Sequence, residues 1–269
     1  MSEPLALPPM TDAPISVLLT ARGPASEMAE VLAAWRERLQ ETKREFELIV
    51  VGPESSAELA LLESQGLPAE ASIVRYQEPE GDGPALRAGV PAARHPLLLC
   101  GLCDKQYHPK DIDGFLKLIN EAHLVCGYRV WQPPPTWLKA LDGVKRVLAR
   151  ALLGYWPAAQ SGWLGWGGWG RRRLARWLFG LRLHDVECRL RLFRKAILAP
   201  FPIQSRGEFA LIEVLAKANH LGCLMAETPV SWTPPKSEPS DATFRADLLG
   251  VFRHPEFHAP ALSGVAAEK

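Results

Sequence analysis

Short apolar runs alternate with segments of helical spacing along the first half of the chain. Ile15 to Ala21 is a continuous apolar run of strand length, and Met28, Val31, Leu32, Trp35 and Leu39 then recur at intervals of three and four. Phe46 to Val51 reads as a second strand, Ala57 to Gln65 as a helix and Ser72 to Tyr76 as a third strand. Pro84 to Ala93 suits a helix with Gly81 and Gly83 at its start. Pro96 to Cys100 is a fourth strand, Ile112, Phe115, Leu116 and Ile119 mark a helix, and Ala122 to Val130 is a fifth strand. Strands alternating with helices predict parallel pairing in a doubly wound α/β sheet. Ligands of such sheets sit beyond the carboxyl ends of the strands. Asp104 and Gln106 follow the fourth strand at that edge.

The pattern changes after Val130. Seven of the nine tryptophans (Trp131, Trp137, Trp156, Trp163, Trp166, Trp169 and Trp177) fall in one stretch, together with a run of lysines and arginines. Leu141, Val144, Leu148 and Leu152 form one apolar stripe, and Leu174, Trp177, Leu178 and Leu181 another. The glycine- and tryptophan-rich Ser161 to Gly170 lies between them. Aromatic and basic residues on amphipathic helices suit an anionic membrane surface, so 131–182 is expected to be a pair of interfacial helices. The competing reading is two helices packed on the sheet with a solvated basic face. The alternating pattern returns with a strand at Leu190 to Phe193, a helix at Phe209 to His220 and a last strand at Cys223 to Trp232. Residues 1–14 are expected to be a disordered N-terminal tail and 233–269 a C-terminal tail, flanking one domain at 15–232.

Composition adds limits. The chain has 269 residues, 47% hydrophobic and 23% charged, with a net charge of +1, which fits a globular domain with a sizeable core. That balance gives no reason to expect a nucleic-acid partner. No apolar run approaches the roughly 20 residues that cross a bilayer, and no signal peptide is visible. Five scattered cysteines fit reduced thiols in the cytoplasm. Cys100 and Cys103 have CxxC spacing without a second pair, and read as core. The histidines have no metal-ligand spacing.

The polar motifs come in a particular order. Gly81-Asp-Gly-Pro-Ala-Leu-Arg87 is followed by Asp104, Gln106-Tyr-His-Pro-Lys-Asp-Ile112 and Cys126-Gly-Tyr-Arg129. Asp185-Val-Glu-Cys-Arg-Leu-Arg191, Glu208-Phe-Ala-Leu-Ile-Glu213 and Glu227-Thr-Pro-Val-Ser-Trp232 complete the series. Together they resemble the family 2 inverting glycosyltransferases, and within them the dolichyl- or polyprenyl-phosphate sugar synthases. The resemblance spans Ile15 to Trp232 and is carried mainly from Gly81 onward.

It implies a GT-A fold, a nucleotide-sugar donor at the carboxyl edge and a lipid-phosphate acceptor. It also implies Mg²⁺ or Mn²⁺ held by an Asp-x-Asp-x-Gln motif, because hard oxygen ligands suit an ion that neutralises a leaving diphosphate. Asp104 and Gln106 match the motif's second aspartate and glutamine, and are the implied metal ligands. Leu102 stands where its first aspartate belongs, so the motif is degenerate. The implied catalytic residues are Asp104, Arg129, Asp185 and Arg191. Glu54, Asp82, Arg87 and Asp104 are implied on the donor side, with Asp82 at a position where the family carries lysine. Arg189 stands where the family often has glycine. Glu213, Lys236 and Arg245 are implied on the acceptor side. The expected activity is inverting sugar transfer on the inner leaflet of the cytoplasmic membrane. The alternative is a degenerate member that binds or scaffolds without turnover.

Overall fold

The computed structural model describes residues 7–130, 173, 176–200, 202–234 and 243–257 of the chain. Seven strands form one sheet: β1 (Ile15–Ala21), β2 (Phe46–Pro53), β3 (Ala71–Tyr76), β4 (Leu97–Cys103), β5 (Leu124–Val130), β6 (Arg191–Arg194) and β7 (Met225–Ser231). Their spatial order is β3-β2-β1-β4-β6-β5-β7. β1 runs parallel to β2 and β4, β2 to β3, and β5 to β7. β6 alone among them is antiparallel, paired with β4 through Cys100 opposite Arg191 and with β5 through Cys126 opposite Arg191. The predicted α/β, mostly parallel sheet is therefore the fold.

Alternate residues of the central strands supply two cores. Ile15, Val17, Leu19, Leu48, Val50, Leu97 and Leu99 face one side. There they meet α1 (Ala25–Glu41), α2 (Ala57–Ser64) and α4 (Ile112–Leu118) through Met28, Leu32, Trp35, Leu59, Ile112 and Phe115. Leu18, Ile49, Val51, Leu98 and Cys100 face the other side. They meet α3 (Asp82–Ala92), α5 (Phe209–His220) and α6 (Phe244–Arg253) through Leu86, Phe209, Leu215, Phe244 and Leu248. The period of two in the strands and the three-four spacing in the helices interlock at both layers. Helix α1 starts directly after Pro24, which takes its N-cap, and Ser56 caps α2 by accepting from the Leu59 amide. Gly89 lets α3 lie close on the sheet, since a Cβ there would overlap Leu18.

Part of each expected tail is tied to the body. Arg194 donates to the Pro8 carbonyl at 2.7 Å, Asn120 accepts from the Met10 amide at 2.7 Å, and Arg44 reaches the carbonyls of Met10 and Ala13. On the other side α6 packs on α5, with Phe244 edge-on to Phe209 at 5.4 Å between ring centroids. The fourth strand runs three residues further than expected, to Cys103, which places Leu102 in the strand and leaves Asp104 as the first residue beyond it. The interfacial helices expected over 131–182 lie almost wholly outside the described residues.

Candidate functional site at the carboxyl edge of the sheet

Three polar groupings meet where β1, β4 and β5 end. The first follows β4. Asp104 Oδ1 accepts from the Gln106 amide at 3.0 Å and Oδ2 from Gln106 Nε2 at 2.5 Å. Trp232, just past β7, donates from Nε1 to Gln106 Oε1 at 3.4 Å, and its backbone bridges to Tyr107. Burial pushes the Asp104 carboxyl above its ordinary range. The two hydrogen bonds from Gln106 and the charges of Arg22 and Arg189 oppose that shift without cancelling it.

The second grouping holds Arg129, near the end of β5. Its guanidinium is bidentate on Asp185, with Nε at 2.6 Å from Oδ2 and Nη2 at 3.0 Å from Oδ1. Its backbone amide donates to the same carboxylate, Glu187 lies 3.7 Å from Nη2, and the guanidinium carbon sits 4.9 Å from the centre of a Trp232 ring. Burial alone would lower the Arg129 pKa, but the Asp185 charge and hydrogen bonds outweigh it and raise it. The fork geometry and the aromatic stacking are arginine's own, and lysine would supply neither.

The third grouping joins β1, α3, the loop before β6 and α5. Asp82, the first residue of α3 and only 3% exposed, receives Arg189 Nη1 at 2.6 Å on Oδ1. Arg22, one residue past β1, reaches the same oxygen at the longer distance of 3.6 Å. Arg189 Nη2 binds Glu208, at the start of α5, and the Arg189 amide donates to Tyr107 Oη at 3.1 Å. Arg22 Nε and Asp82 Oδ2 are buried without a hydrogen-bond partner. Asp82 and Arg189 line a small pocket with Thr20, Leu86, Cys100 and Leu102, with about 10 Å³ of free space, room for one water.

The structure thus brings Asp104, Gln106, Arg129, Asp185 and Asp82 together at one edge. Other expected residues are elsewhere. Arg191, expected at the reaction centre, has 0% exposure, and its guanidinium is spent on the backbone carbonyls of Cys188, Val186 and Leu211. That corrects its role to a brace between the loop before β6 and α5. Glu213, expected beside an acceptor, is likewise fully buried. It accepts from the amides of Gln204 and Ser205 and the Ser205 hydroxyl, and pairs with Lys217 at 2.7 Å. It anchors the loop before α5 and is not exposed to a ligand. Arg87 holds the same loop, donating to the carbonyls of Ile203 and Ser205 at 2.9 Å while pairing with Glu78. Glu54 is exposed just past β2, and Arg245 is exposed on α6. Lys236 lies outside the described residues.

Sequence reading missed Arg22, Tyr107 and Trp232 as site residues. Arg22 was marked by its place one residue beyond a buried strand. Trp232 closes the motif that ends β7, but nothing in the spacing shows it folding back to Gln106.

The architecture is that of the GT-A glycosyltransferases. Glucosyl-3-phosphoglycerate synthase of Mycobacterium tuberculosis, solved with Mn²⁺, UDP and glucosyl-3-phosphoglycerate, superposes with a TM-score of 0.60 at 16% identity, over 92% of this chain and 82% of that one. The same enzyme with Mn²⁺, UDP-glucose and glycerol 3-phosphate gives 0.59 at 16% identity, over 92% and 83%. In sequence the chain is 28% identical over 158 residues to a dolichyl-phosphate hexose transferase of Haloferax volcanii, covering 58% of each protein. The chain thus spans less than two thirds of that relative's length. No protein-family model matches it.

Proposed function

We propose that this protein is a glycosyltransferase that moves a sugar from a nucleotide-sugar donor to a lipid-phosphate acceptor with inversion. The observation that carries the reading is the convergence of Arg22, Arg129, Arg189, Asp104 and Asp185 at the sheet edge where α/β folds bind ligands. The GT-A likeness and the dolichyl-phosphate hexose transferase relative support it. An acceptor phosphate oxygen attacks the anomeric carbon, and the bond from that carbon to the diphosphate breaks with its electrons leaving on the diphosphate. The acceptor oxygen is anionic at neutral pH and needs no general base. Orientation by Arg129 and countercharge from the arginines then supply most of the rate.

The membrane surface belongs to the same proposal. No helix among the described residues is long and apolar enough to cross a bilayer. Trp177, in the described part of the Trp- and Arg-rich stretch, is 79% exposed and follows the exposed Arg176. Such a pair suits the headgroup layer of the inner leaflet.

The second reading, a binding protein without turnover, is favoured by one observation: Arg129 and Arg189 are already engaged by carboxylates of this chain. One experiment separates the two. The protein is incubated with UDP-, GDP- or dTDP-sugars and a polyprenyl phosphate in anionic vesicles, and the lipid is examined by mass spectrometry. Sugar on the lipid phosphate is expected, reduced at least about 100-fold by Arg129→Ala. Donor binding with no product from any sugar nucleotide would favour the binding protein.

A further inference from the structure

The solved relatives in fold hold Mn²⁺ or Mg²⁺ with UDP, so the carboxyl edge can be tested for a divalent ion. Its donors do not fit one. Such an ion takes several hard oxygen ligands, and no group of three His, Cys, Asp or Glu side chains among the described residues is arranged to hold a metal. Asp104 has both oxygens on Gln106. Two residues back, Leu102 is 4% exposed and packed in the core, so no second carboxylate can come from that strand end. The other acids are answered by arginines: Asp82 and Glu208 by Arg189, Asp185 and Glu187 by Arg129. Arg22 and Arg189 lie close enough to Asp104 to favour its charged form, and a divalent cation there would meet both positive charges.

What the site offers is cationic hydrogen-bond donors. Arg22 is the most weakly held member of the cluster, with one 3.6 Å contact and a buried Nε that has no acceptor. Asp82 is shared between Arg22 and Arg189, and Asp82 and Arg189 line the same small pocket. Asp82 therefore stands where an anionic ligand would bridge the two guanidiniums. We infer that Arg22 and Arg189 bind the diphosphate of the donor without a divalent cation, and that Asp82 is an internal competitor which the diphosphate displaces. This rests on the nucleotide-sugar reading above. Arginine forks match phosphate oxygens two at a time, which gives the orientation a metal would otherwise provide. Once displaced, Asp82 leaves its place on Arg189 while Glu208 still holds the other side of that guanidinium, so the loop before β6 keeps an anchor.

The test is calorimetric titration of the full chain with UDP, in EDTA and in Mn²⁺, and with Mn²⁺ alone. UDP is expected to bind equally in both buffers, and Mn²⁺ alone to give no saturable heat. Arg22→Ala should weaken UDP about tenfold, a loss of about 1.4 kcal/mol. Arg189→Lys keeps a charge on Asp82 and Glu208 and should keep the fold, checked by circular dichroism, while weakening UDP by a similar factor. Asp82→Asn removes the competitor and should tighten UDP binding several-fold in EDTA, a gain that a purely structural role would not produce.

UDP binding that requires Mn²⁺, saturable binding of Mn²⁺ alone, or weaker or unchanged binding in Asp82→Asn would each overturn the inference and leave the glycosyltransferase reading standing. Failure of UDP, GDP and the sugar nucleotides to bind in either buffer would overturn both.

Discussion

The Asp104 carboxyl gives up its proton less readily in the folded protein than in an exposed chain. Burial raises its carboxyl pKa above the ordinary 3.8, with Gln106 and two arginines only partly compensating. A folded-state value above the unfolded one means that the native protein binds the proton more tightly, so this group's contribution to stability falls as pH rises through that range. Asp104→Asn cannot ionise and can still accept the Gln106 amide through its side-chain oxygen. It is expected to melt higher than the parent at pH 7, with the difference closing toward pH 3.8 and below; a gap that widens in acid would refute this. A carboxyl shifted this way at the ligand edge of an α/β sheet is a candidate functional group. The sequence made Asp104 and Arg129 visible because each stands at a strand end, where a polar side chain has no core to join. It could not separate Arg129 from Arg191. Both are arginines near β-strands in the same motif series, and only the three-dimensional burial shows one facing the edge and the other bracing carbonyls.

At the scale of elements, the loop 202–207 is tied down from three helices. Glu213 holds it from α5, Arg87 from α3, and Asp247 of α6 accepts from the amides of Arg206 and Gly207 at 3.0 and 2.9 Å. The start of α3 presses against it: a Cβ on Gly81 would overlap the Arg206 carbonyl, and one on Gly83 the Ser205 carbonyl. Gly83→Ala must therefore move a braced loop and is expected to cost about 1–3 kcal/mol in urea unfolding. The same change shifts Asp82 beside it, so UDP affinity should change as well, whereas a cost in stability alone would show that the loop, not the ligand edge, absorbs the move. Glu213→Gln takes the carboxylate from buried Lys217 and is expected to cost about 3 kcal/mol or more by the same measurement. These ties explain why family-like positions such as Arg87 and Glu213 read as ligand contacts from sequence. A motif records that a residue type is needed, and bracing the loop that shapes a site is such a need.

The described residues form a sheet with a core on each face, and most of that was legible. The strands and helices expected over 15–130 and 190–232 fall where the alternation and the three-four spacing put them, because tertiary burial agrees with local pattern in a doubly wound sheet. The reversal of β6 was not legible, since Arg191 to Arg194 is too short and too charged to declare its direction. The packing of α6 was missed because a proline- and serine-rich start hid a helix of its own. The cysteines report on this packing. Cys100, Cys103, Cys126 and Cys188 are buried free thiols, each pushed up to about 12 by burial, while Cys223 is partly exposed. At pH 8 a disulfide-exchange reagent should modify one thiol per native chain and five in denaturant. Rapid reaction of a second thiol would show that the sheet opens without unfolding.

The reversal of β6 has one more consequence. β5 leaves the sheet at the carboxyl edge, and its antiparallel neighbour β6 begins at that same edge. The chain therefore leaves the sheet after Val130 and re-enters it at Arg191 on one and the same rim. A foreign domain spliced in directly after Val130, ahead of Leu181 and Leu183, which are buried in the core on the α3 side, adds only the slowly growing entropy of a longer loop.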